Sequence, residues 1–166
     1  IKYMMGSAEE KAEECVGESG DHRDGTTVKE FACGSGTKLS PYVILNAEQL
    51  AHLSFVVGGN DADYIGKYYK LGADILLNDG KIINDKGALV ADSSKLHKWT
   101  PIGNSWENSF TGGTFDGKQH KIIGLYCNEL SDNMGLFGCA TNGCIKNISI
   151  LHCNVLGENK IGAIVG

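Results

Sequence analysis

Asp116 and His120 are the pair of side chains best suited to proton transfer, because a carboxylate and an imidazole are the usual proton carriers in catalysis. They lie in the run FDGKQH at 115–120. The same run also fits a turn, in which Asp116 accepts backbone N–H groups, Gly117 takes a positive φ and His120 packs on the following coil of the chain. We favour the turn, which makes Asp116 and Gly117 structural residues.

Carboxylates that could cleave a polysaccharide are scattered along the chain. Such an enzyme needs two carboxyl groups roughly 5 to 9.5 Å apart, or several acids on one strand face that bind calcium. The aspartates here occur singly, mostly beside Gly or Asn at turn positions, which favours turn formation over catalysis. The aspartates concerned are Asp74, Asp79, Asp85, Asp92 and Asp116.

A glycan-binding surface would use aromatic rings, because an exposed ring offers a broad apolar face with a polar edge. Trp106 and Tyr64 are the candidates for glycan contact, and Trp99, Tyr68 and Tyr69 belong to the same set. Isolated aromatic residues more often fill a core. The sequence therefore allows a glycan surface and does not require one.

The six cysteines leave three interpretations open: buried free thiols, one to three disulfides, or a metal site. Four of the six lie beyond Tyr126, with the spacing C-x11-C-x4-C-x8-C. That spacing lacks the paired C-x2-C motifs of zinc sites. Buried thiols are common in protein cores, and the spacing does not determine any disulfide connectivity.

Composition and charge exclude several functional classes. The 166 residues contain 23 glycines, about twice the average share, so the chain turns often. A net charge of −5 argues against nucleic-acid binding through bulk positive charge. The longest apolar runs have four or five residues, whereas a membrane-spanning helix needs about 20. We expect no nucleic acid, no membrane span within this chain and no cofactor or metal.

Two helices are predicted near the amino end. Asn46 can cap the second one, Gln49 can answer the cap, and Leu50, Leu53 and Val56 share one apolar face before a Gly-Gly pair ends the helix. An S-x-x-E capping box at residue 7 predicts a short helix to about residue 16. The sequence divides near residue 30. Residues 1–30 are polar, and their composition is compatible with both order and disorder, whereas residues 31–166 are expected to form the folded part.

After residue 66 the pattern becomes one of short β-prone runs, among them residues 81–83 and 145–155, separated by Gly, Asn, Asp and Ser clusters, which is typical of an all-β fold. Alternation places Ile148 and Ile150 in the core. The segment GLFG at 135–138 recurs in type as AIVG at 163–166. The two segments are 28 residues apart, and a repeat of this length is typical of one coil of a parallel β-solenoid.

The chain resembles the GLUG-motif β-helix regions of bacterial secreted and cell-surface, adhesin-like proteins. The resemblance covers about residues 31–166 and keeps the order of the elements. It rests on the segments GSGT at 34–37, PYVI at 41–44, NAEQLAHL at 46–53, KLGADI at 70–75, WTPIG at 99–103, FTGGTFDGKQHKIIGLY at 110–126, GLFG at 135–138 and IGAIVG at 161–166.

The resemblance implies a right-handed parallel β-helix, all-β with short helices, whose first coil is closed by the helix at 46–57. Gly135, Gly138 and Gly166 would lie at tight turns. The chain begins without Met and ends within an apolar stretch, so we interpret it as a truncated part of a longer parent chain. The implied location is extracellular or at the cell surface.

The implied function is a non-catalytic structural or adhesive module, with an extracellular glycan or host protein as its partner. Two alternatives remain open: a carbohydrate-binding or carbohydrate-cleaving β-helix, and an accessory region of a secreted peptidase. The latter would be recognised by a catalytic H-E-x-x-H segment elsewhere in the parent chain.

Overall fold

A computed structural model describes Cys15 and residues 28–79 and 81–166. The predicted short helix at 7–16 and the loop that follows it lie almost wholly outside these residues. The described part consists mainly of short strands with one α-helix, so the predicted all-β class with short helices is confirmed. Besides helix α1 (Ala47–Gly58), two short 3₁₀ helices occupy Ala62–Tyr64 and Ser93–Lys95.

The strands are two to four residues long, as expected for a chain with so many turn residues. In chain order they are β1 (Tyr42–Ile44), β2 (Tyr68–Leu71), β3 (Ile75–Leu76), β4 (Phe110–Thr111), β5 (Thr114–Asp116), β6 (Lys121–Ile123), β7 (Tyr126–Asn128), β8 (Ala140–Thr141), β9 (Cys144–Lys146), β10 (Ser149–Leu151) and β11 (Asn154–Leu156).

Every pair among these strands is parallel. The largest sheet has the order β1-β2-β5-β9, and smaller sheets have the orders β10-β6-β3, β11-β7 and β4-β8. Ile122 pairs with Ile150, and Cys127 pairs with Val155. The two partners in each pair are 28 residues apart. The GLFG and AIVG segments are also 28 residues apart, so this register agrees with the repeat seen in the sequence.

Helix α1 forms where the sequence predicted it. The Asn46 side chain accepts a hydrogen bond from the Gln49 N–H at 3.0 Å, and the Gln49 side chain accepts one from the Leu45 N–H at 2.8 Å. The first bond satisfies an N–H of the first turn that has no partner within the helix, and the second holds the chain just before the cap. Leu50, Leu53 and Val56 are buried. The helix therefore lies with its apolar face on the core.

The core is formed by the alternate residues of the strands that point away from solvent, together with the apolar face of α1. Tyr42, Tyr69, Phe115 and Ile145 are register partners on four successive strands of the largest sheet. Their stacking gives one continuous apolar column across the sheet.

Two local predictions need correction. The run from Ile145 to Val155 is not one strand but β9, β10 and β11, because Asn147 and His152 adopt a positive φ and turn the chain. Ile148 and Ile150 still pack against the core, where they are partly buried. The β-prone run at 81–83 forms no strand; Ile83 makes only an isolated bridge with Leu89.

The glycines at 135, 138 and 166 are required for close approach and not for a positive φ. A Cβ on Gly138 would lie 2.5 Å from the Gly103 carbonyl oxygen, and a Cβ on Gly166 would lie 2.6 Å from the Asn133 carbonyl carbon. A Cβ on Gly135 would meet the Gly162 oxygen. Neighbouring turns of the chain pack so tightly here that only glycine fits.

Candidate functional site

Asp116 ends strand β5 and organises the turn that follows. Its Oδ1 atom accepts hydrogen bonds from the Lys118 N–H at 3.0 Å and from the Asn147 Nδ2 at 2.9 Å. The carboxylate thus accepts a hydrogen bond from a backbone N–H within this turn. The bond to Asn147 joins this turn to the corresponding turn after β9.

The predicted positive φ of Gly117 is wrong: Lys118 and Gln119 adopt it instead. Gly117 is needed because a Cβ there would meet the Asn147 carbonyl oxygen. The Nδ1 atom of His120 lies 3.1 Å from Asp74 Oδ1, in an earlier part of the chain. The side chain that faces His120 is thus Asp74 and not Asp116.

Two lysines face the second oxygen of Asp116. Lys118 Nζ lies 3.4 Å and Lys146 Nζ 3.7 Å from Oδ2. Burial by itself raises the pKa of Asp116, but the hydrogen bonds from Asn147 and Lys118 and the charge of Lys118 outweigh it and lower the pKa. The carboxylate is therefore ionised at neutral pH, and its side chain is only 12% exposed.

A groove of about 550 Å³ opens over the outer face of the β1-β2-β5-β9 sheet. Lys70, Asp116 and Lys146 are register partners on β2, β5 and β9, so they form a row across its floor. Lys38 and Lys118 also line the groove. Four of the 15 basic residues of this acidic chain thus line a groove that contains a single carboxylate. We call this surface, lined by Lys38, Lys70, Asp116, Lys118 and Lys146, the lysine groove.

The lysine groove was not predicted from the sequence. The lysines that form its floor lie far apart in the chain, and their strands are too short for the register to be predicted from the sequence. The signal that could have found them is alternation: Lys70 and Lys146 each follow a residue whose side chain points inward, Tyr69 and Ile145.

The other aspartates serve separate local structures. Asp74 accepts hydrogen bonds from the Lys121 N–H and faces His120, and both interactions lower its pKa, with the backbone bond as the largest cause. Asp85 pairs with Lys81. Asp92 accepts the Ser94 N–H and hydroxyl, which lower its pKa. Asp92 thus has the local turn role that the sequence favoured, whereas Asp74 binds a backbone group from a distant part of the chain.

The two glycan-contact candidates have different environments. Trp106 is 74% exposed. The Tyr64 ring packs against the rings of Phe31, Tyr42 and His52, and its carbonyl accepts the Tyr69 hydroxyl at 2.8 Å. Tyr64 therefore belongs to a packed aromatic cluster, and of these two candidates only Trp106 offers an open ring.

Trp99 is a core residue. It is 3% exposed, and its indole N–H donates to the Leu136 carbonyl at 3.0 Å. The expectation that isolated aromatics fill a core holds for this residue.

The cysteines divide into one disulfide and four free thiols among the described residues. Cys15 and Cys33 form the disulfide, whereas Cys127, Cys139, Cys144 and Cys153 are free. Burial raises the pKa of the Cys127 thiol to about 12, so it is inert as a nucleophile. Cys144 is exposed and lines the lysine groove.

In the part of the chain that the structure describes, His, Cys, Asp and Glu residues form no group of three or more that could hold a metal ion. Over the same residues, α1 is too short to cross a bilayer, and no other helix meets the length and apolarity needed.

The chain is similar to parts of two much longer proteins. It is 31% identical over 148 residues to Halomucin from Haloquadratum walsbyi, an alignment that covers 86% of this chain and 2% of that protein. It is 32% identical over 141 residues to a putative Gly-rich membrane protein from Evansella cellulosilytica, covering 82% of this chain and 14% of that one. No family model matches the chain, and no solved structure matches it.

Proposed function

We propose that residues 31–166 form the capped start of a right-handed parallel β-helix of the GLUG type, and that this unit is a non-catalytic structural or adhesive module of a cell-surface or secreted protein. The observation that carries the proposal is the parallel pairing of successive short strands. At most positions the partners are separated by nearly the same length of chain, as in Tyr42 with Tyr69 and Ile122 with Ile150. Such pairing requires the chain to return above its own start after each repeat. Parallel connections of this kind are nearly always right-handed.

Helix α1 supplies the cap in this proposal. β1 is an end strand of the largest sheet, and α1 follows it directly, with Leu50 and Leu53 fully buried in the core. An exposed end of a stacked sheet would offer unpaired backbone groups and apolar side chains to other chains. A helix laid over that end prevents such association.

The opposite end of the stack supports a role within a larger array. Strand β9 is the other end strand of the largest sheet. The last described segments expose Leu156, Ile161, Ile164 and Val165. In the proposed β-helix this surface receives a further coil of the same kind, which makes the unit a rigid spacer.

The surface location is supported by the relatives. One of them is by name a putative Gly-rich membrane protein, and this chain is itself rich in glycine. Both relatives are many times longer than the matched segment, as expected of a module within a large protein.

Location is tested with an antibody raised against residues 31–166 and applied to intact and lysed cells of the source organism. Labelling of intact cells, lost after brief external proteolysis, is the expected result. Labelling that requires lysis would refute the surface role. A crystal structure with antiparallel hairpins would refute the β-helix independently of location.

A further inference from the structure

We propose that the lysine groove binds an acidic polysaccharide whose sugars carry carboxylate groups. This inference names the partner class of the proposed surface module and rests on that proposal. Its starting point is the charge of the groove, which is opposite to that of the whole chain. Such a local reversal of sign attracts an anionic partner and repels a cationic one.

The positive charge in the groove exceeds what Asp116 can neutralise. Lys118 and Lys146 share its Oδ2 atom. Among the ion pairs of the described residues, none includes Lys38 or Lys70. The side chains of Lys118 and Lys146 remain accessible, with exposures of 54% and 49%. The groove therefore keeps cationic donors available for carboxylates of a ligand.

The arrangement of the lysines fits a linear polymer. Neighbouring strands in a sheet are about 4.8 Å apart, and β5 separates β2 from β9. Lys70 and Lys146 are thus anchored roughly 9 to 10 Å apart along a line that crosses the strands. This separation is comparable to the length of a disaccharide, so one chain laid along the row meets both lysines.

The position of the groove favours a sugar polymer over an acidic peptide. A peptide that binds to a sheet gains most from backbone hydrogen bonds at a free strand edge. The groove lies on the face of β2, β5 and β9, and both edges of β2 and β5 are already paired. Among the strands that carry the row, a free edge exists only at β9, so a ligand over β2 and β5 finds no strand edge to pair with. Thr114 and Tyr68 supply hydroxyl groups beside the lysines, and hydroxyls both donate to and accept from sugar hydroxyls.

The first experiment measures binding of a short galacturonate oligomer to residues 1–166 by calorimetry at low and high salt. We expect binding that weakens as salt rises, because the contacts are exposed charge pairs. A neutral galactose oligomer of the same length should not bind. Equal binding of the neutral oligomer, or no binding of the acidic one at low salt, would overturn the proposal. Equal or tighter binding of polyglutamate would overturn the assignment to a polysaccharide.

Variants locate the site. Lys70→Gln with Lys146→Gln should weaken galacturonate binding by about tenfold, since each exposed charge contact contributes modestly. The matched control is Lys81→Gln with Lys95→Gln, which removes the same charge away from the groove and should leave affinity within about twofold. Equal losses in both double variants would mean diffuse electrostatic attraction and would overturn the groove. Thermal melts of both variants show whether each is folded.

Cys144 provides a readout independent of affinity, because its exposed thiol lines the groove. Bound galacturonate should slow alkylation of Cys144 at least severalfold, while Cys139 and Cys153, which do not line it, react as before. Binding without protection of Cys144 would place the ligand elsewhere and overturn the proposal. Failure of these binding assays would leave antibody access to intact cells unaffected, so the groove and the surface role fail separately.

Discussion

Leu53→Ala tests whether helix α1 is part of the core. Leu53 is fully buried on the face that packs against the strands. The substitution removes three carbon groups, which lowers the free energy of unfolding by about 2.4 kcal/mol at about 0.8 kcal/mol each. The residual cavity adds to this loss, and comparable fully buried Leu→Ala changes cost about 2.7–5.0 kcal/mol. We expect a loss of about 3–4 kcal/mol.

The assay is urea unfolding followed by circular dichroism, with Phe55→Ala as the matched control. Phe55 lies two residues away on the same helix but is 73% exposed, so its truncation should change stability by no more than about 0.5 kcal/mol. Both variants introduce alanine, the residue with the highest helix propensity, so neither should lose stability through propensity. If the two variants differ by less than about 0.5 kcal/mol, α1 does not seal the core and the proposed cap is wrong.

Gly138→Ala should destabilise the fold by more than about 1 kcal/mol in urea unfolding, roughly the size expected when a core is overpacked, because its Cβ would lie 2.5 Å from a backbone oxygen. Gly58→Ala should be neutral or stabilising, since its Cβ meets only open space and one side-chain atom at 3.9 Å in a helix; equal losses would refute the close-approach argument. The lowered pKa of Asp116 means that its contribution to stability is present above about pH 4 and is lost as the pH falls through the folded pKa. The difference between wild type and Asp116→Asn in unfolding free energy should therefore be largest at neutral pH and shrink in acid, and a difference independent of pH would contradict this assignment. Thiol titration of the unreduced, denatured protein should count the four free cysteines, and titration of the native protein should show Cys144 reacting before Cys127; a count of six would exclude the disulfide.

Helix α1 could be predicted to its ends because its signals are local. Asn46 and Gln49 lie three residues apart and bond within one turn. Leu50, Leu53 and Val56 share a face through helical periodicity alone. The 28-residue spacing of the GLFG and AIVG segments likewise agrees with the pairing of later strands, since Ile122 with Ile150 and Cys127 with Val155 have the same separation.

The register between β2 and β5 could not be predicted from the repeat. Tyr69 pairs with Phe115, a step along the chain that is much longer than one repeat, because a long segment separates β3 from β4. The Ile145–Val155 run looked like one strand because alternation does not reveal the positive φ of Asn147 and His152. Gly117 looked like the residue that turns the chain, whereas contact with the Asn147 carbonyl decides that position.

By itself the sequence determined the all-β class, the helix with its cap, and the acceptor role of Asp116 in a turn, because each depends on residues within a few positions of one another. Only the tertiary structure decided that Lys70, Asp116 and Lys146 form one row. Their approach depends on pairing between strands that are distant in the chain, and that pairing is fixed by the packing of Tyr69, Phe115 and Ile145 on the opposite face. A one-residue slip would turn the lysines inward, so burial of the apolar column is what places the charges in the groove.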